Sequence, residues 1–371
     1  MKVSDYIWQY LYKITGSKHV FLLSGGGMMH LLDSVGKSKF KSISMHHEQA
    51  ASIAANAYGR TINSIGVCLV TSGPGATNAL TGVTAAFMDS VPMVIVSGQV
   101  STLFSKKKMK IRQLGFQEFD IISSVKPTTK YAVHLNNKYK VQYELEKACY
   151  LAKNGRPGPV WLDIPLDIQN SHIKIEKNKS FFYKNSKILN SNPYPKNEEI
   201  NLVIKNLKNS KRPLIVFGHG TYLSGAKEYA RKFINNFKIP CQSTWNSIDL
   251  IPDKNKYYFG RANSYGPRYP NFIIQNADYI LSIGARLGVQ HTGYNVKAFA
   301  RNAVLHMIDL DINEAKKPKL KVDKFIKSDA KKFIEKLNNQ LKKHKFKEDF
   351  SSWIEYCNTI KRKFPVAPNI E

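Results

Sequence analysis

Residues 46–60 read HHEQAASIAANAYGR, and they organise the first half of the chain. Helix formers dominate this stretch, and its alanines make the predicted helix thin enough to pack closely against its neighbours. One acid, Glu48, stands between two histidines and this helix. A carboxylate at the mouth of such a helix is poorly placed for solvent and well placed to meet a ligand. We therefore expect the neighbouring turns to converge on Glu48.

Short strand-like runs, each followed by a turn rich in glycine or polar residues, flank this helix in the sequence. They cover residues 19–23, 41–45, 65–71 and 92–98. Repeated strand–turn–helix units with apolar strands predict an α/β fold with a doubly wound parallel sheet. In such sheets ligands bind at the carboxyl ends of the strands. The residues predicted at those ends are Gly25, Gly26, Gly27, Glu48, Gly73, Pro74, Gly75, Asn78, Gly98 and Gln99.

A second α/β unit follows a stretch of linker-like composition. Residues 1–170 form the first unit, 171–196 the linker, 197–345 the second unit and 346–371 a tail. The predicted strands of the second unit end in Gly218 and Gly220, in Arg286, and in Asp309 and Asp311. A nucleotide-type crevice is expected at this edge. Acids that follow a strand either accept hydrogen bonds from a ribose or cap the next helix, and the spacing leaves both open.

The composition is that of a globular protein with a large excess of basic residues. The 371 residues carry a net charge of +29, mostly as lysines scattered over surface-like positions. We find no basic stripe interleaved with aromatic residues and no nucleic-acid motif, so no specific nucleic-acid partner is expected. The run Lys106, Lys107 and Lys108 predicts a solvated loop.

Cysteine usage and hydropathy predict a cytoplasmic protein. The four cysteines lie far apart without a CxxC pair, which favours reduced thiols over disulfides or a metal site. The N-terminal residues predict an amphipathic helix and not a signal peptide. No run approaches the ~18 apolar residues of a membrane span, so no membrane partner is expected.

Several motifs together resemble one enzyme family, the thiamine-diphosphate-dependent enzymes of the acetohydroxyacid (acetolactate) synthase and pyruvate oxidase group. They occur in the family's order across nearly the whole chain. The matching stretches are residues 25–27, 47–51, 71–78, 89–92, 97–100, 116–118, 154–159, 163–165, 284–286 and 308–311.

The resemblance implies roles for individual residues. Glu48 would bond the aminopyrimidine ring of thiamine diphosphate, and Gln117 would line the reacting end of the cofactor; both would be catalytic. The remaining cofactor-binding residues of the first, pyrimidine-binding domain would be Gly25, Gly26, Gly27, Gly73, Pro74, Gly75, Asn78, Gln99 and Phe116. The second unit corresponds to a central domain that holds FAD in some members. Its cofactor-binding residues would be Gly218, Gly220, Arg286, Asp309 and Asp311. Lys130 matches a lysine at the substrate entrance.

The family's third domain is the part that the resemblance does not reach. That domain carries a Gly-Asp-Gly motif and a later Asn, which hold Mg²⁺ and through it the diphosphate. We find no Gly-Asp-Gly in this sequence, so no metal ligand is assigned to it. The chain would therefore be a truncated product, one half of a split enzyme, or a fragment with a non-catalytic role.

The expected function is decarboxylation of a 2-keto acid such as pyruvate followed by transfer of the acyl (acetaldehyde) unit, as in acetolactate synthase. One alternative is a non-catalytic binding or oligomerisation fragment. Another is a family member that transfers a two-carbon unit to a keto sugar. Ser24 and Leu287 depart from the usual acetohydroxyacid synthase residues, which leaves both the substrate and FAD open. A homo-oligomer, either dimer or tetramer, or a separate chain with the diphosphate-binding domain is the expected partner.

Overall fold

A computed structural model describes residues 1–106, 109–185 and 192–366. The chain divides into two compact units, 1–190 and 191–371. Lys107 and Lys108 of the predicted solvated loop lie outside the described residues.

The first unit is built on a six-stranded sheet in which all neighbouring strands are parallel. The strands are β1 His19–Leu22, β2 Lys41–Ser44, β3 Gly66–Val70, β4 Met93–Gln99, β5 Tyr131–His134 and β6 Pro159–Pro165, in the order β2-β1-β3-β4-β6-β5. The helices are α1 Val3–Thr15, α2 Met29–Lys37, α3 Glu48–Thr61, α4 Pro74–Asn78, α5 Leu80–Met88, α6 Ile121–Val125, α7 Val141–Lys153, α8 Leu166–Asn170 and α9 Phe181–Lys184.

Alternate residues of the strands supply the two hydrophobic cores that cover this sheet. On β3, Val67 and Leu69 join the core formed with α1, α2 and α7, whereas Cys68 and Val70 join the core formed with α3, α5 and α6. The helix α3 lies close to β3, because a Cβ atom on Gly66 would come within 2.0 Å of the Ala55 carbonyl oxygen. Small residues on both elements therefore set the position of Glu48, the first residue of α3.

The second unit contains a five-stranded sheet whose neighbouring strands are also all parallel. Its strands are β7 Pro213–Phe217, β8 Cys241–Ser243, β9 Tyr279–Ile283, β10 Val304–Asp309 and β11 Lys324–Lys327, in the order β11-β10-β9-β7-β8. Its helices are α10 Asn197–Asn209, α11 His219–Leu223, α12 Lys227–Phe237, α13 Arg268–Asn276, α14 Val289–Thr292, α15 Ala330–Lys343 and α16 Ser351–Lys363. Two parallel doubly wound sheets confirm the predicted fold class.

Within the described residues, segments of the predicted linker and of the predicted tail are folded. Phe181 is buried, and the Glu146 carboxylate accepts hydrogen bonds from Ser180 Oγ at 2.6 Å and Phe181 N at 2.7 Å, so the segment up to 185 packs on the first unit. In the predicted tail, α16 buries Trp353 and Cys357 in a core of the second unit. The described part of the tail therefore belongs to that unit, because its apolar face is needed to cover the sheet.

Candidate functional site

The strand order of the first unit creates a crevice between β1 and β3. The chain passes from β1 to β2 on one side and reaches β3 on the other, so the connections leave β1 and β3 in opposite directions. Such a switch point, at the carboxyl ends of the strands, is where open α/β sheets bind ligands. The turn after β1 contains Gly25, Gly26 and Gly27, and the turn after β3 runs from Thr71 to Asn78.

Glu48 lies at this edge as a buried carboxylate. Its exposed fraction is 7%. His47 caps the helix, since its Nδ1 accepts a hydrogen bond from Gln49 N at 3.0 Å. Asn78 Nδ2 donates to Glu48 Oε2 at 2.9 Å. A Cβ atom on Gly75 would lie 2.9 Å from Glu48 Oε1, so the absence of a side chain there keeps space open beside that oxygen.

Thr71 joins the two glycine turns. Its Oγ1 accepts a hydrogen bond from Gly27 N at 3.0 Å. Cβ atoms on Gly25 and Gly75 would lie 2.5 Å and 2.6 Å from Thr71 side-chain atoms, so neither position has room for a side chain. A Cβ on Gly26, in contrast, would meet no atom within 4 Å. Two of the three predicted glycines of this turn are thus packed against Thr71 or bonded to it, and Gly26 faces open space.

Gly73 and Gln117 meet at the next turn. Both have positive φ, 60° and 59°, and a Cβ atom on Gly73 would lie 2.6 Å from the Gln117 carbonyl oxygen. Pro74 is exposed and begins α4, a position that suits its fixed φ. Phe116 is 82% exposed. The structure therefore brings the backbone of Gln117 to the glycine turn and leaves the Phe116 ring largely in solvent.

Gln99 is directed elsewhere. Its side chain is buried, and its Nε2 donates to the Phe119 carbonyl oxygen at 2.8 Å and to Asp163 Oδ2 at 3.2 Å. Its Oε1 accepts from Val100 N at 3.0 Å. The amide is therefore occupied by neighbouring residues of the chain, and the structure does not bring it to the Glu48–Asn78 pair.

Sequence reasoning missed Gln169 as part of this edge. Gln169 is fully buried on α8, and its Nε2 donates to the carbonyl oxygens of Gly27 at 2.8 Å and Ile164 at 2.7 Å. Gln169 on α8 therefore holds the turn after β1 in place through the Gly27 carbonyl oxygen. Its position directly after β6, at the carboxyl end of a strand, was the signal that could have identified it.

Lys130, expected at the substrate entrance, lies at the opposite edge of the sheet. It precedes β5, and its backbone N donates to the Pro159 carbonyl oxygen at the beginning of β6. Its ammonium group donates to the carbonyl oxygens of Leu151 and Asn154 at the end of α7. Burial lowers its pKa to about 8. These contacts make Lys130 a cap of α7 and place it away from the carboxyl ends of the strands.

The second unit has its own switch point, between β7 and β9. There the glycine turns contact each other. Gly218 N donates to the Ile283 carbonyl oxygen and Gly220 N to the Gly284 carbonyl oxygen, each at 2.9 Å. A Cβ atom on Gly218 would lie 2.1 Å from Gly284 O. Glycine is needed here because the two backbones touch.

The charged residues at this second edge bond to one another. Arg286 Nε lies 3.4 Å from Glu314 Oε1, and Lys317 forms an ion pair with Oε2 of the same glutamate. Asp311 caps the short helix that follows it by accepting a hydrogen bond from Asn313 N at 3.0 Å. Asp309 Oδ1 accepts from Asp311 N, also at 3.0 Å. Of the two interpretations open for these acids, the geometry supports capping for Asp311, while Asp309 holds the turn that leads to it.

Within residues 1–106, 109–185 and 192–366, no three His, Cys, Asp or Glu side chains are grouped as a metal site. None of the helices in those same ranges combines the length and apolar character that a membrane crossing needs.

Comparison with known families matches both units. A model of the thiamine pyrophosphate enzyme N-terminal TPP binding domain matches residues 1–124, and one of the thiamine pyrophosphate enzyme central domain matches residues 200–337. The chain belongs to the thiamine pyrophosphate enzyme family. In this family member, the first model covers the turns after β1 and β3 as well as Glu48 and Gln117, and the second covers the Gly218–Gly284 contact.

Several curated relatives are acetolactate synthase large subunits. A probable acetolactate synthase large subunit of Methanococcus aeolicus is 34% identical over 92% of this chain and 57% of its own length. The acetolactate synthase large subunits of Lactococcus lactis and Pyropia yezoensis are 32% and 30% identical over 95% of this chain. The chain spans 59% of each of these two relatives.

Proposed function

We propose that the Glu48 site holds the aminopyrimidine half of thiamine diphosphate, and that the chain takes part in acetolactate synthase-like chemistry. The reaction class is decarboxylation of a 2-keto acid such as pyruvate with transfer of the acyl unit. The observation that carries this proposal is a buried carboxylate at a glycine-lined switch point, with one oxygen bonded by Asn78 and space beside the other. The names of the curated relatives support the same reaction.

The residues of this chain have distinct tasks in the proposal. Glu48 Oε1 would accept a hydrogen bond from the aminopyrimidine or donate one to it, because the missing side chain at Gly75 leaves room beside that oxygen. Asn78 holds the other oxygen, Oε2, and so orients the carboxylate. Thr71 keeps the two glycine turns at a fixed separation. When bound, thiamine diphosphate supplies the electron sink for cleavage of the 2-keto acid.

We place Mg²⁺ and the diphosphate on a third domain, as in the family that the sequence resembles. That domain would meet this chain either as part of a longer polypeptide or on a separate one. In the first unit, Ile53 of α3 and Met88 of α5 are 44% and 61% exposed, so association at either helix would bury apolar surface. Sedimentation of the pure chain with and without a separately produced diphosphate-binding domain distinguishes self-association from pairing.

The proposed function does not include FAD binding by the second unit. A dinucleotide needs free backbone N–H groups beside its phosphates. The N–H groups of Gly218 and Gly220 already donate to the turn after β9. Asp311 caps a helix, and the Arg286 side chain lies beside Glu314. These predicted FAD-binding residues therefore support their own turns. Flavin absorbance that remains with the protein after incubation with FAD and gel filtration would contradict this inference.

The test of the proposed function is calorimetric titration of thiamine, and of thiamine diphosphate with Mg²⁺, into the full chain. Thiamine carries the aminopyrimidine without the phosphates, so it reports on the Glu48 site alone. Glu48→Gln is expected to weaken thiamine binding about tenfold, because a charged or proton-sharing hydrogen bond is lost. Glu228→Gln, at a side chain that is 67% exposed, is the matched control.

Two results would count against the proposal. One is the absence of thiamine binding to the wild-type chain at millimolar concentration. The other is equal affinity in wild type and Glu48→Gln, which would show that the carboxylate does not contact the ring. For the reaction itself, carbon dioxide release from pyruvate is measured in the chain supplemented with the diphosphate-binding domain, where Glu48→Gln should abolish turnover.

A further inference from the structure

A buried carboxylate, Asp163, lies at the carboxyl end of β6 and outside the Glu48 site. Its side chain is 2% exposed. It accepts hydrogen bonds from Ser97 Oγ at 2.6 Å and Gln99 Nε2 at 3.2 Å, and His134 Nδ1 lies 2.8 Å from its Oδ2. Trp161 Nε1 donates to Ser97 Oγ at 2.8 Å, which directs the Ser97 hydroxyl proton to Asp163. A buried charge needs such partners, and here they come from β4 and β5, the two strands that flank β6.

The Gln99 side chain connects Asp163 to the residues that follow β4. Its Nε2 bonds both Asp163 and the Phe119 carbonyl oxygen, while its Oε1 accepts from Val100 N. One amide therefore closes both ends of residues 100–119. The described residues of this stretch, 100–106 and 109–119, are called the pinned segment below. Asp163 fixes which end of the Gln99 amide faces inward, because only the Nε2 end can donate to a carboxylate.

Two further carboxylates hold the pinned segment. Asp167 Oδ1 accepts from Thr102 N at 2.9 Å. Glu118 accepts from Lys106 N at 2.7 Å and from Leu114 N at 2.8 Å. Burial by itself would raise the pKa of Glu118, but the hydrogen bonds from Leu114 and Lys106 outweigh it and lower the pKa. The segment is thus held by charged acceptors and contributes few apolar side chains to the core.

Gln117 belongs to the pinned segment and contacts the glycine turn after β3, at the same edge of the sheet as Glu48. The Gln117 backbone has φ 59° and packs against Gly73, whose own φ is 60°. Gln117 therefore holds a conformation that a loose chain would leave, since a positive φ is unfavourable for glutamine, whereas glycine adopts it readily. The contact therefore depends on how firmly the two ends of the segment are closed.

We propose that Asp163 is a positioning residue, which acts through Gln99 to hold Gln117 against Gly73, and that His134 makes this hold dependent on pH. The proposal deepens the proposed function and rests on it for the role of Gln117. Acids face His134 from three elements: Asp163 on β6, Asp120 at the start of α6 and Asp167 on α8. The positive charge of protonated His134 is attracted to all three acids. When His134 loses its proton, this attraction is lost and the hydrogen-bond network around Asp163 becomes weaker.

The test is hydrogen exchange of the full chain, read by mass spectrometry in the absence of any cofactor. In Asp163→Asn, the peptides of the pinned segment should exchange about tenfold faster or more, because charged hydrogen bonds are lost. Peptides from α3 and β3 should be unchanged. Asp33→Asn, which removes an exposed acid paired with Lys37, is the control and should leave the pinned segment as in wild type.

A second variant keeps the test decisive if Asp163→Asn does not fold. His134 is only partly buried, so His134→Gln should fold, and His172→Gln at an exposed histidine is its control. In wild type, protection of the pinned segment, corrected for intrinsic exchange, should fall as pH rises through the pKa of His134. In His134→Gln this pH dependence should be absent.

The outcomes separate this inference from the proposed function. Unchanged exchange of the pinned segment in Asp163→Asn, or equal loosening of α3 and β3, would overturn the positioning role. A pH dependence that persists in His134→Gln would overturn the role of the histidine. Exchange is measured without cofactor. If the pinned segment exchanges faster in Asp163→Asn but the chain fails to bind thiamine, the proposed function is rejected and the positioning role of Asp163 is retained.

Discussion

Replacement of Gly98 by alanine tests how the Glu48 edge is built. Gly98 lies near the end of β4, and a Cβ atom there would start 2.0 Å from the Gly27 carbonyl oxygen and 2.7 Å from Met28 N. Real Cβ atoms keep at least 3.0 Å from such neighbours, so the turn after β1 must retreat by 1 Å or more. Both opposing atoms belong to the backbone, so no side-chain rotation relieves the clash.

The expected destabilisation has two parts. Overpacking of this kind costs roughly 1–3 kcal/mol. The retreat of Gly27 also breaks its hydrogen bond from Gln169 Nε2, which costs about 1 kcal/mol more. Gly98→Ala should therefore lower the free energy of unfolding of the first unit by about 2–4 kcal/mol. For a unit of this size the melting temperature should fall by about 5–10 °C.

The assay is thermal unfolding followed by hydrogen exchange, which reports on each unit separately. Peptides from β1 and α2 should lose protection at lower temperature in Gly98→Ala, whereas peptides from β9 should not change. Gly26→Ala is the matched control, because a Cβ there meets nothing within 4 Å and φ is not positive. It should change stability by no more than about 0.5 kcal/mol. Equal melting of the two variants would refute the argument that backbone contact fixes this turn.

Two further predictions concern carboxylates. The pKa of Glu118 is lowered from its ordinary value of 4.5, so its contribution to the pinned segment is present above that value and is lost as pH falls below it through the folded pKa. Exchange measured while pH is lowered should show this loss in wild type, and Glu118→Gln should show a segment that is already loose at neutral pH. Glu314→Gln should destabilise the second unit by about 1–2 kcal/mol in urea unfolding, because Lys317 and Arg286 then lie side by side without their shared acid. The exposed Glu228→Gln serves as its control, and equal unfolding midpoints would contradict the structural role of Glu314.

The parallel sheets and the placement of Glu48 could be predicted because they follow from local patterns. Apolar runs that end in glycine turns specify strands, and the parallel arrangement then brings their carboxyl ends to one edge. Residues 46–60 predicted a helix with Glu48 at its mouth, and α3 begins at Glu48. The Glu48–Asn78 hydrogen bond joins two strand ends that this rule already placed together.

The direction of individual polar side chains could not be predicted. Gln99 stands at a strand end, yet its amide is held by Asp163, which lies 64 positions away in sequence. Thr102 is likewise held by Asp167 at a separation of 65 positions. Such contacts depend on which strands become neighbours, and β4 next to β6 is a crossover that local pattern does not specify. The packing of α16 could not be predicted for a related reason, since its apolar partners Tyr269 and Ile273 lie on α13.

The closure of residues 100–119 by a single amide has a consequence for sequence change. Because Gln99 fixes Val100 N and the Phe119 carbonyl oxygen directly, the distance between the two ends does not depend on what lies between them. Lengthening a loop whose ends are already fixed costs little, since closure entropy grows only with the logarithm of its length. Insertions and substitutions between Lys106 and Leu114 should therefore be tolerated far better than changes at Gln99.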